Sequence, residues 1–189
     1  MDQDPRILAS KEKVVQTAIA QMCEVGLPNV TIDGLSKKSG VAKTTIYRHW
    51  ETLDDIILSA IDHMTGAPQF VDSGSLQQDV ETTLMNLSRC FRSENWARCM
   101  PDIIEKGRID KSFGEKKRQI MHQQFEPLTK AIQNARERGE IDANIDDDLL
   151  FSQLVGPLFM RYMLKNEPLK EELIKQHVAT ILSSYIDRS

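Results

Sequence analysis

Long apolar runs are missing from this sequence. No stretch approaches the ~20 consecutive apolar residues that a membrane-spanning helix needs. The opening segment, MDQDPRILASKEK, has no apolar signal core, so the expectation is a cytoplasmic protein with no membrane partner. Cysteine is scarce. Cys23, Cys90 and Cys99 are odd in number and no C-x-x-C pair occurs, which argues against a disulfide framework and a cysteine zinc site. They read as small buried apolar side chains in a reducing compartment, with a redox pairing of Cys90 and Cys99 as the alternative. Val, Ile and Thr never gather into alternating strand-like runs, which leaves little room for a sheet. Enzyme signatures are absent as well. There is no Gly-rich phosphate loop, no H-E-x-x-H helix and no nucleophile elbow, and His49, His63, His122 and His177 lie far apart in the chain. The expectation is a non-enzyme without metal or cofactor.

What is present is helix. At 189 residues the chain can bury roughly 70% of its unfolded surface, enough for a core without staples. Ile7, Leu8, Val14, Val15, Ala18, Ile19 and Met22 recur at three- and four-residue steps and predict a first helix over 6–25. Gly26 ends it and Pro28 prevents it resuming. Thr31 supplies an N-cap oxygen for a helix over 32–39. Gly40 closes that helix, and another covers 43–49. Thr52, with Asp55 three residues on, caps a fourth helix. Further helices are expected at about 75–93, 96–107, 111–138, 146–165 and 170–187. Ser93 or Asn95 is the candidate cap of the second of these, Gly139 ends the third, and Pro127 and Pro157 are expected kinks. The fold class is therefore all-α, with about nine helices.

Charge is unevenly spread. Residues 1–50 hold seven Lys or Arg against five Asp or Glu, whereas residues 51–189 hold 17 against 23. The excess of positive charge centres on TIDGLSKKSGVAKTTIYRHW, residues 31–50, where two short helices flank a Gly-containing turn. That arrangement is the helix-turn-helix, whose second helix enters the major groove of duplex DNA. Ile46 and Trp50, four apart, pack this helix inward. Lys43, Thr44, Thr45, Tyr47, Arg48 and His49 are left facing outward, and these are residue types that contact phosphates and base edges. A helical hairpin with a merely solvated basic face uses the same residues and stays open on the pattern alone.

The stretch from Ala9 to Ala60 resembles the N-terminal domain of the tetracycline-repressor (TetR) family. The residues that carry the resemblance are Gly26, Thr31, Gly40 with Val41, Tyr47 and Trp50. Trp50 stands where Phe is more usual, and Leu53 where Lys is common, which removes one phosphate contact. The resemblance implies a DNA-binding domain over 1–53 and an effector-binding, dimerising domain over 54–189. It implies phosphate contacts from Tyr47, His49 and the Thr31 end of the second helix, and places Lys43, Thr44, Thr45 and Arg48 nearest the bases. The implied function is a transcription regulator, a repressor released from a palindromic double-stranded operator by a small molecule. The alternative is a helical ligand-binding or scaffolding protein.

In the second half, LLFSQLVGPLFMRYML is apolar on nearly every side and needs cover all round. Leu154, Leu158 and Tyr162 on this helix are the candidate contacts with a second copy, in a homodimer. Leu173, His177, Ile181 and Tyr185, every four residues on the last helix, join them and complete a four-helix interface. A monomeric core is the alternative. For an effector pocket the candidates are Met85, Phe91, Trp96, Met100, Met121 and Phe125, adaptable apolar residues of the middle helices that equally fill ordinary cores. Glu105, Arg108 and His122 are candidate polar discriminators among them.

Overall fold

The computed structural model describes residues 5–91 and 93–186, and of Cys90 only the backbone. Among these residues there are nine α-helices and no strand. They are α1 (Pro5–Val25), α2 (Ile32–Ser39), α3 (Lys43–His49), α4 (Leu53–Thr65), α5 (Leu76–Phe91), α6 (Glu94–Ile109), α7 (Lys111–Glu137), α8 (Asp147–Lys165) and α9 (Glu171–Leu182). A 3-10 turn, Leu27–Asn29, separates α1 from α2. None of these helices is long and apolar enough to cross a membrane.

The caps explain the boundaries. The Thr31 hydroxyl accepts from the Gly34 amide at 3.1 Å, satisfying one free donor at the start of α2. At α4 the capping box is complete. Thr52 Oγ1 accepts from the Asp55 amide, and the Asp55 carboxylate accepts from the Thr52 amide at 3.0 Å. α8 starts on Asp146, whose carboxylate accepts from the Leu149 amide. Ser93 holds the cap position of α6 without a capping hydrogen bond, and α9 ends at Leu182 rather than near 187. Both α7 and α8 continue through their prolines as single helices.

The chain divides into two compact units. The first comprises residues 1–67 and 93–121, the second residues 68–92 and 122–189. Helix-turn-helix and α4 thus fall in one unit with α6 and the first part of α7. In the first unit α1 packs on α2, α3, α4 and α6. Its buried stripe runs Val14, Val15, Ala18, Ile19 and Met22, while Ile7 and Leu8, read as part of that stripe, are exposed. The helix outruns the core it covers. In the second unit α9 packs on α5 and α8, and Asp79, almost fully buried, accepts from the amide and hydroxyl of Ser73 at 2.8 and 2.6 Å.

The α6–α7 corner depends on one close approach. A Cβ on Gly114 would lie 2.4 Å from the Gly107 carbonyl oxygen, a backbone atom that cannot rotate away. Gly114→Ala is expected to destabilise the protein by about 1–3 kcal/mol through overpacking. A urea titration followed by circular dichroism tests this, and an unchanged midpoint would show that the corner yields freely.

Candidate nucleic-acid interface

The helix-turn-helix, the candidate reading head, is built around a pinned turn. Gly40 adopts φ 70°, in the left-handed region that side chains resist. Ser36 Oγ donates to the Val41 carbonyl at 2.8 Å, and the Val41 amide donates to Ser39 Oγ at 3.2 Å. Two serines of α2 therefore hold the chain as it leaves toward α3. Leu35 and Ile46, both fully buried, close the angle between the two helices. At the far end of α3, Trp50 is buried and its indole N–H donates to Ser59 Oγ of α4 at 2.9 Å. With Ile46 and Trp50 turned inward, α3 can face solvent only with its remaining residues.

Those residues are the ones expected from the sequence. Lys43, Thr44, Tyr47 and Arg48 are exposed, Thr45 and His49 half-exposed, and Thr31 is exposed at the start of α2. The structure brings all seven onto α3 and the adjoining end of α2. Thr31 already spends its hydroxyl as a cap. Lys43 Nζ lies 2.6 Å from Asp33 Oδ1, and Lys38 Nζ lies 2.5 Å from Glu24 Oε2. Arg48 and Lys37 have no ion-pair partner among the described residues and leave unneutralised positive charge on α3 and α2. His49 packs edge-on against the Trp50 ring at 5.9 Å. Burial first, then the neighbouring charges of Lys11 and Arg48, hold its pKa below the ordinary imidazole value. Lys11, on α1, is the member of this charge cluster that local reading missed. Only the packing of α1 on α3 brings it there.

The mounting of the reading head was also hidden from the sequence. Asn95, Cys99, Asp102 and Lys106 follow one another on α6 at four-, three- and four-residue steps, on one side of the helix. Asn95 and Cys99 meet Cys23 near the end of α1, and Asp102 accepts from the Leu27 amide at 2.8 Å. Lys106 Nζ reaches Asp54 of α4 at 3.1 Å, and Lys116 of α7 reaches Asp55 at 2.7 Å. The Lys116 ammonium, then the Thr52 hydroxyl, hold the Asp55 carboxyl below the usual carboxylate range. Beside this mount lies a cavity of about 340 Å³, walled by Leu27, Val30, Leu53 and Ile57 with Glu105 and Ile109 of α6.

None of the six expected pocket residues lines that cavity. Trp96 and Met100 are buried and Met121 half-buried in the first unit. Met85, Phe91 and Phe125 belong to the second unit, where Phe91 stacks on Tyr162 at 5.0 Å and Phe125 meets Phe151 edge-on. The expected dimer contacts need correcting. Leu154 is 0% and Leu158 4% exposed within a single chain, so neither has surface left for a second copy. Tyr162, Leu173, Ile181 and Tyr185 are half-buried, and His177 Nε2 lies 3.0 Å from the Leu154 carbonyl oxygen. An all-round apolar pattern cannot say which side of α8 its own unit covers. The uncovered side carries Leu149, Gly156, Pro157, Met160 and Leu164.

The comparisons with known proteins agree with this architecture. Residues 14–60 match the model of bacterial regulatory proteins of the tetR family, and residues 70–181 match the tetracyclin repressor-like C-terminal domain. The chain is 24% identical to the HTH-type transcriptional regulator YdeS of Bacillus subtilis, over 92% of this chain and 88% of that one. It is 23% identical to the DNA-binding transcriptional repressor TetR of Mycobacteroides abscessus, over 89% of this chain and 90% of that one. Among solved structures, the flavonoid-responsive regulator FrrA superposes with a TM-score of 0.71 at 17% identity, over 96% of this chain and 99% of that one. With both domain models matched in order and a helix-turn-helix whose polar face is open, the chain belongs to the tetracycline-repressor family of DNA-binding transcription regulators.

Proposed function

We propose that this regulator is a cytoplasmic, homodimeric repressor that reads a near-palindromic operator and is released by a small molecule. The observation that carries the DNA reading is the division of α3: Ile46 and Trp50 in the core, Lys43, Thr44, Tyr47 and Arg48 in solvent. In a two-fold dimer the two α3 helices meet successive major-groove faces roughly 34 Å apart. Thr31, Tyr47 and His49 are assigned to phosphates, and Lys43, Thr44, Thr45 and Arg48 to base edges. Selection of bound duplexes from a random pool tests the reading. An inverted repeat with a fixed spacing is expected, whereas recovery of unrelated sequences at low salt would leave only a non-specific basic surface.

His49 makes the interaction pH-dependent. In the free protein its pKa is lowered by burial, Lys11 and Arg48. A phosphate against the ring favours the charged imidazole and raises the pKa in the complex. Binding therefore takes up a proton, and affinity rises as pH falls between the bound-state and free-state values, by at most about tenfold per pH unit for each histidine. His49→Asn is expected to flatten this slope, measured by fluorescence anisotropy from pH 5.5 to 8.

For the dimer, the uncovered side of α8 is the surface we assign, together with the half-buried Leu173 and Ile181 of α9 and Tyr185 just beyond its end. An exposed apolar stripe of this kind is costly to leave in water and suits an isologous contact. Leu164, 81% exposed, and Met160 are not needed by the chain's own core. Met160→Glu, placing like charges across a two-fold contact, is expected to shift sedimentation from dimer to monomer without loss of helix content.

The effector reading rests on the cavity beside α4 rather than on the six apolar residues, which the structure divides three to each unit. Asp54 faces it from α4 and Asp102, Glu105 and Lys106 from α6, over an apolar floor, which suits an apolar body bearing a cation. A ligand there competes with Lys106 for Asp54 and shifts the start of α4. A coupling of 1–3 kcal/mol weakens operator binding about 5- to 150-fold. That the structural neighbour FrrA is a flavonoid-responsive regulator supports small-molecule control as such.

A further inference from the structure

We propose that Cys23 and Cys99 are an oxidisable pair, the site at which a low-molecular-weight disulfide closes an internal bridge between α1 and α6. The two sulfurs lie 3.3 Å apart, although 76 positions separate them in sequence. The helices that carry them are held in register on both sides of the thiols. Toward the start of α6, Cys23 Sγ lies 3.6 Å from Asn95 Oδ1 and 3.7 Å from the Asn95 carbonyl oxygen. One turn further along α6, Asp102 holds the Leu27 amide at 2.8 Å. Closing the sulfurs from 3.3 Å to the ~2.05 Å of a disulfide brings each of them roughly 0.6 Å toward the other. The pair differs from the Cys90–Cys99 pairing considered from the sequence, since the Cys90 thiol lies outside the described residues.

The two cysteines have different roles. Cys99 is fully buried, and burial, then its hydrogen bond with Cys23 and the charge of Asp102, push its thiol up to about 12. It does not meet an oxidant in solution. Cys23 is half-buried and opens toward solvent. The Cys23 thiolate attacks one sulfur of the disulfide oxidant, the oxidant's S–S bond breaks, and one thiolate leaves. The Cys99 sulfur then attacks Cys23 in the mixed disulfide. The Cys23–Cys99 bond forms, the second thiolate leaves, and the two thiol protons end on the two leaving thiols. The protein loses two electrons and the oxidant gains them. In a reducing compartment such a bridge is transient and sensing rather than structural. When closed it ties α1 covalently to the face of α6 on which the reading head is mounted.

The test uses the full chain with Cys90→Ser, so that two thiols remain. After native treatment with oxidised glutathione and alkylation in denaturant, the expected result is loss of both alkylatable thiols. A Cys23–Cys99 cross-linked peptide should appear, and the unfolding midpoint should rise by about 5–15 °C, reversed by dithiothreitol. Cys23→Ser should leave Cys99 unmodified by the oxidant in the native chain. A stable glutathione adduct on Cys23, a cross-link between chains, or two fully alkylated thiols would each overturn the proposal. If Cys90→Ser fails to fold, the same peptide map on the unsubstituted chain decides: a bridge containing Cys90 overturns it, a Cys23–Cys99 bridge supports it.

Discussion

The double variant Lys43→Ala/Arg48→Ala should lose at least about 100-fold in affinity for the selected operator while keeping its fold. Good side-chain hydrogen bonds to base edges contribute about 1–3 kcal/mol each, and a two-fold complex repeats every one of them. Both side chains are exposed on α3, and neither supports the core. Arg48 is unpaired among the described residues. Lys43 lies 2.6 Å from Asp33, but both partners are largely solvated, so the pair contributes little to stability. Circular dichroism and the urea midpoint should therefore stay within ~0.5 kcal/mol of the parent. The salt dependence separates phosphate binding from base reading. If one side chain holds a phosphate, the slope of log K against log salt falls by about 0.9 for each phosphate no longer neutralised. Unchanged affinity at every salt concentration would remove α3 from the DNA interface.

Ile46→Ala should destabilise the protein by about 2–5 kcal/mol, the largest expected effect of a single substitution in the reading head. Ile46 is 0% exposed and, with Leu35, fills the angle between α2 and α3. On α3 the other inward anchor is Trp50, which packs at its far end rather than against α2. α3 is a seven-residue helix, too short to persist alone, so its position depends on tertiary packing. DNA affinity should fall with stability, in contrast to the surface double variant. Trp50→Phe provides the graded comparison. It keeps an aromatic plug but loses the hydrogen bond to Ser59, whose own hydroxyl still donates to the Asp55 carbonyl, so about 1 kcal/mol is expected. Urea titrations of both variants give the ranking. An Ile46→Ala midpoint equal to that of Trp50→Phe would contradict the packing described for α3.

The assignment of α3 as the reading helix did not require the tertiary structure, because its requirements are local. A left-handed residue at Gly40, a capping hydroxyl at Thr31, a capping box at Thr52 and Asp55, and two apolar residues four apart can all be read from neighbours in the chain. The boundaries of the first helices followed for the same reason, and α2 and α3 match the expected spans. Where the sequence reading went astray, the pattern was either degenerate or extended beyond its partner. Ile7 and Leu8 continue the apolar step of α1 past the end of the core. Leu154 and Leu158 are apolar, as are Met160 and Leu164, and periodicity cannot distinguish the inner side of α8 from the outer.

By itself, then, the sequence determined the helices, their caps, the turn and the family, since each depends on interactions within a few residues or on a short ordered motif. Only the tertiary structure decided what the helices rest on. The α6 row of Asn95, Cys99, Asp102 and Lys106, the meeting of two thiols across 76 residues, the Lys116–Asp55 tie and the placing of Lys11 beside His49 all depend on register between distant segments. That register is set by how whole apolar faces interlock. No single residue announces it, because the same side chains would satisfy several packings until the core selects one.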